Sequence, residues 1–194
     1  MKKRTFSTKQ IVLTALLAAL TVAGSSLRIK VPADIVGTSA FHLGNILCAL
    51  SGILLGPWLG GLAAGLGSAI FDMLDPTYIS ECWITFITKG AYGLVAGAIA
   101  WWGGKRWDIS IPHNYGKALI ATLAGALTYA VLYLGKSFFY SGMLLHGLTA
   151  EAAMVSVISK LPATTFNAVV AIVGAPLLAV AISKALKAAH LTLE

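Results

Sequence analysis

Several polar side chains stand where an apolar chain has little use for them. Asp72 closes the glycine-rich run GGLAAGLGSAIFDML, Lys89 interrupts the apolar run that starts at Trp83, and Lys136 lies near the end of another. His42 and Asn45 open the run that ends at Gly56-Pro57, Asn167 sits inside a late apolar run, and Asp75 and Glu81 lie in the polar stretch DPTYISEC. An ammonium inside a bilayer costs about 3 kcal/mol on insertion scales, so Lys89 calls for a partner. On an ideal helix Lys89 lies about 9 Å beyond Trp83, and Asp72 lies at a similar depth on the preceding span. Asp72 is therefore the expected partner. Such a pair could only fix helix register, or it could also hold a ligand. The second reading is favoured, because register can be fixed without a charge. His42 and Asn45, three residues apart, share one helix face near the same mouth. Tyr78, Trp83, Tyr133 and Tyr140 could stack on a flat ring, although aromatic residues also populate any membrane interface. An amide in lipid is costly, so Asn167 is expected to face inward.

These groups suit binding better than catalysis. The chain has no HExxH, GxSxG or P-loop pattern, and no serine lies near a plausible base in sequence. No enzyme activity is expected, and no cofactor. Cys48 and Cys82 are expected at different depths and unbridged, and no metal-ligand spacing occurs.

The elements that position these residues follow from composition. Of 194 residues 58% are hydrophobic and only 11% charged, where a soluble domain carries about 25% charged residues. The bilayer is the expected solvent, and residues 1–194 are expected to form a single integral membrane domain. The apolar runs predict an all-α fold, a single six-helix transmembrane bundle. Its spans lie at about 9–27, 41–55, 58–74, 83–102, 117–140 and 162–182. The second and third fall short of the roughly 20 residues that cross upright, so they need shelter or local thinning of the bilayer. Residues 28–40 and 75–82 read as loops. Residues 141–160 read as a loop with room for a short interfacial helix, and Pro162 then sits in a first helical turn.

Charge sets the orientation. Lys2, Lys3, Arg4, Lys9, Lys105, Arg106, Lys117, Lys184 and Lys187 fall on one side, against Arg28, Lys30, Lys136 and Lys160 on the other. By the positive-inside rule both termini are cytoplasmic. The net charge of +7 is spread in patches beside spans, so nucleic acid is not an expected partner. On the first span Ala15, Ala19 and Ala23 form a row of small residues that would let another helix approach closely. Alanine is also simply common in this chain. The Gly61-xxx-Gly65 pair is read as packing within the bundle.

The alanine row and the segment FHLGN…GILLGPWLGGLAAGLGSAIFDML, set among six spans with short loops, resemble a substrate-binding (S) component of an energy-coupling factor (ECF) transporter. The resemblance covers about residues 8–188 and is nearest the branch that includes pyridoxine, hydroxymethylpyrimidine and cobalamin types. It implies a vitamin or vitamin precursor bound tightly under outer loops. It also implies that Ala15, Ala19 and Ala23 dock on a transmembrane coupling subunit driven by two cytoplasmic ATPases. ATP is then used by the partners and not by this chain. The resemblance puts Asp72, Glu81, Trp83 and Lys89 in the cavity region; His42, Asn45, Lys136 and Asn167 complete the candidate ligand-binding set. A self-contained ion-coupled carrier or channel, with Lys89 and Asp72 as a proton relay, is the other reading.

Overall fold

The computed structural model describes residues 7–32, 38–103 and 114–188. Lys2, Lys3, Arg4, Lys105 and Arg106, which weigh in the charge count, lie outside the described residues. Helix α1 (Thr8–Ser26) is followed by strands β1 (Arg28–Pro32) and β2 (Thr38–His42), then by helices α2 (Gly44–Met73), α3 (Cys82–Ala100), α4 (Asn114–Lys136) and α5 (Ala150–Ala188). A single 3₁₀ turn, Ile79–Glu81, leads into α3, and wide π-type turns, Ser137–Leu145, extend α4. Five helical segments among the described residues are long and apolar enough to cross a membrane.

Helix α1 starts on a capping box. Ser7 Oγ accepts from the Gln10 amide at 3.3 Å, and the Gln10 side chain accepts from the Ser7 amide at 3.1 Å. Two otherwise orphaned donors are satisfied this way.

Helix α2 is bent back on itself at Gly56, whose φ of 79° and ψ of −175° no residue with a Cβ adopts readily. Pro57 has no N–H to give the Ile53 carbonyl four residues back. The indole N–H of Trp101 supplies the missing donor, reaching Ile53 O at 2.9 Å. The two arms then run antiparallel: Cys48 Sγ meets Ser68 Oγ at 3.6 Å, and Gly60 lies against Gly52. Trp101 is tucked against this break, while Trp102 stays exposed.

Small residues let α2 and α3 touch backbone to backbone. A Cβ on Gly61 would lie 3.0 Å from Gly90 O, and one on Gly65 would lie 2.8 Å from Phe86 O. The Gly61-xxx-Gly65 pair therefore packs within the bundle. Cys48, Ala49, Leu50 and Ile53 from α2, Tyr92 and Ala96 from α3, and Ala118 and Ala121 from α4 are fully or almost fully buried at the centre.

Three stretches depart from the expected loops. Residues 28–32 and 38–42 pair as two antiparallel strands, with Arg28 opposite His42 and Pro32 opposite Thr38. Pro32 ends a strand rather than marking a loop, as a residue without a ladder donor can. The span read as 117–140 begins at Asn114 and is prolonged by the π turns to Leu145. The last helix begins at Ala150, so Pro162 lies in its interior, as does Pro176. Neighbouring helices make such interior prolines tolerable in a membrane.

Candidate functional site

Polar stripes on four helices meet at one end of the bundle. Each follows helical spacing: Ser68 and Asp72 on α2; Thr85, Thr88 and Lys89 on α3, just past Glu81; Tyr129, Tyr133 and Lys136 on α4; and Lys160, Thr164 and Asn167 on α5. They enclose a cavity of about 350 Å³, the size of a small-ligand site.

Lys89 stands at the centre of this wall and is only 5% exposed. Its ammonium donates to Asn45 Oδ1 and lies 3.7 Å from the centroid of the Tyr129 ring. Asp72 lines the same cavity, as does Thr85. Among the described residues Lys89 has no carboxylate within ion-pairing distance. The expected direct Lys89–Asp72 pair is therefore replaced by an amide and an aromatic face. An aromatic quadrupole attracts a cation without neutralising it. Tyr92, Tyr129 and Tyr133 stand nearly parallel, with centroids 6.0 and 5.5 Å apart.

Glu81 is held by two groups from the other side. Lys136 forms an ion pair with Glu81 Oε2, and Ser141 Oγ donates to Oε1 at 2.8 Å. Ser141 can face inward because the π turns shift the helix register after Lys136, a distortion often found at functional sites. Lys160, read as a loop charge, is buried in α5 and donates to Ser137 Oγ at 3.3 Å.

The β hairpin roofs the cavity, to which Arg28, Thr38, Ser39, Ala40 and His42 contribute. Straps hold it down at both edges. Asn167 Nδ2 donates to Ala40 O at 2.8 Å, and Asn167 Oδ1 accepts from the His42 amide at 2.9 Å. Arg28 and Lys30 both pair with Asp75, and the hydroxyls of Thr38 and Tyr78 meet at 2.8 Å. Tyr133 of α4 and Ser39 of the roof line the same cavity. His42 Nδ1 accepts from the Gly44 amide at 3.1 Å, capping α2. Burial, helped by the positive charges of Lys89 and Arg28, holds the His42 imidazole well below its ordinary pKa of 6.5, so it stays neutral.

A model of the ECF-type riboflavin transporter S component matches residues 5–184. The chain belongs to the ECF-type riboflavin transporter S component family. It is an integral membrane protein of a transporter family and not of an enzyme family. A Pyrococcus woesei protein, described only as uncharacterised and in the gap 3′ region, is 30% identical over 124 residues, 64% of this chain and 74% of that protein. A UPF0397 protein of Streptococcus gordonii is 32% identical over 95 residues, 49% of this chain and 48% of its own length.

For this S component, His42, Asp72, Glu81, Lys89, Lys136 and Asn167 all line the one cavity, with Asn45 directly behind Lys89. Asn167 faces inward, but its oxygen and one N–H are engaged by the roof. Trp83 is placed elsewhere: it is 53% exposed, outside the cavity lining, with its ring edge-on to Tyr140 at 5.9 Å. Arg28, Ser141, His146, Lys160 and Thr164 were missed. The four-residue spacing from Lys160 to Thr164, continued at Asn167, was the available signal. Among the described residues no group of three His, Cys, Asp or Glu side chains could hold a metal ion. Ala15, Ala19 and Ala23 lie on the exposed face of α1, opposite the buried Thr14, Leu17, Ala18 and Thr21.

Proposed function

We propose that this chain is the vitamin-capturing subunit of an ECF importer, binding a vitamin or vitamin precursor in the roofed cavity at the outer face. The observation that carries this reading is the polar cavity itself, closed by a strapped hairpin, in a chain of the S component family. Ligand contacts fall to Lys89, Asp72, Glu81, Lys136, Tyr133 and His42, with Asn45 and Asn167 positioning Lys89 and the roof. A cavity of about 350 Å³ favours a riboflavin-, pyridoxine- or hydroxymethylpyrimidine-sized molecule. Cobalamin, with its corrin ring and nucleotide loop, is several times too large for it.

The two arms of α2 count as two short crossings, giving six in a single membrane domain with both termini in the cytoplasm. The lysine bias supports that orientation, and the antiparallel arms support that count. Ala15, Ala19 and Ala23 offer an exposed, small-residue face to a transmembrane coupling subunit, whose two ATPases supply the energy. A self-contained carrier built on a Lys89–Asp72 relay has less support, since Lys89 hydrogen-bonds to Asn45 instead.

A native mass spectrum of the purified protein tests the reading. A bound species at vitamin mass is expected, lost on ligand exchange. A spectrum free of any ligand, together with no binding of the three candidate vitamins by calorimetry, would contradict it.

A further inference from the structure

We infer that the molecule taken up in this cavity carries an acid group, a carboxylate or a phosphate, that reaches Lys89. The inference rests on the reading of the cavity as a vitamin site and names the chemical class. Four cationic side chains line the cavity, Arg28, Lys89, Lys136 and Lys160, against two carboxylates, Asp72 and Glu81. Glu81 is engaged by Lys136 and Ser141, and Arg28 by Asp75 at the rim. Asp72 lies beyond ion-pairing distance of Lys89, and Lys160 donates to Ser137. That leaves Lys89 as a buried ammonium whose partners are one neutral amide and one ring face.

An ammonium has three donors. Asn45 takes one and the Tyr129 face accounts for another direction, so one remains for the cavity. A buried charge with no counter-charge in direct contact is costly, and an incoming anion would offset that cost. Charge-assisted hydrogen bonds are also roughly twice as strong as neutral ones. A neutral vitamin would leave Lys89 without an anion in contact. An acid group on the ligand would be met by Lys89 from below, with Lys160 and Lys136 on the flanking helices.

Matched pairs test this with the full chain in lipid nanodiscs. Riboflavin is titrated against riboflavin 5′-phosphate, pyridoxine against pyridoxine 5′-phosphate, and pyridoxine against 4-pyridoxic acid. In at least one pair the acid member should bind tenfold or more tightly than its neutral partner. The phosphate and carboxylate arms tell the two acid groups apart. Lys89→Met should erase that preference, and Lys89→Arg should restore most of it. Thermal melts of both variants report whether they fold, and the wild-type ratio stands without them. An acid member that never outbinds its neutral partner overturns the inference, whether the neutral one wins or neither binds. So does a preference that persists in folded Lys89→Met. Tight binding of a neutral vitamin would overturn it while leaving the transport reading intact; no bound species at all would remove both.

Discussion

Lys89 is the residue on which the site turns, and its surroundings decide what each substitution does. Asn45→Leu removes the acceptor and leaves the ammonium against the Tyr129 ring alone. A hydrogen bond to a charged group contributes about 2 kcal/mol, so a stability loss of that order is expected in a denaturation curve. Tyr92→Phe should behave oppositely. The Tyr92 hydroxyl is fully buried and has no hydrogen-bond partner among the described residues, so its removal should cost nothing or stabilise by about 1 kcal/mol. His42 gives a pH signature. Its imidazole stays neutral in the folded chain while the unfolded chain takes up a proton below pH about 6.5. Its contribution is therefore whole above that pH and is lost as pH falls toward the depressed folded pKa. In His42→Asn, which can still accept from the Gly44 amide, the drop in melting temperature from pH 7.5 to 5.5 should be smaller than in the wild type.

At the scale of the elements, the break in α2 carries a second test. Trp101→Phe keeps most of the ring but removes the N–H that reaches Ile53 O. A buried carbonyl left unpaired costs about 1–3 kcal/mol, so a loss in that range is expected, with ligand affinity little changed. Trp102→Phe, on an exposed ring, serves as the neutral comparison. Much of this architecture was legible in sequence. Gly56-Pro57 between two apolar runs marked the break, and inward polar residues such as Lys89 and Asn167 stood out because lipid excludes them. The strand pairing was not legible, since Pro32 reads the same in a loop as at the end of a strand. Nor was the Asn45–Lys89 contact: depth along each helix can be estimated from residue number, but rotation about the helix axis cannot. Depth therefore made Asp72 look the better partner. The π turns were hidden for a related reason, because one extra residue per turn moves Ser141 and His146 inward without changing local composition.

For the whole molecule, the cavity and the α1 face separate two jobs. On the proposed function, capture falls to the roofed cavity and delivery to the surface of α1 that faces away from its buried residues. Ala15→Trp with Ala19→Trp should therefore abolish uptake by cells while ligand binding by the purified protein survives, because bulk there blocks close helix approach without reaching the cavity. Unchanged uptake would move the docking surface elsewhere. The central claim is that this chain binds and does not pump. It is tested most directly in proteoliposomes, by following accumulation of the ligand identified in the native spectrum. The chain alone should bind that ligand stoichiometrically and accumulate none, with or without an imposed proton gradient. Accumulation should begin only when the coupling subunit, both ATPases and ATP are added. Gradient-driven accumulation by the lone chain would contradict the account.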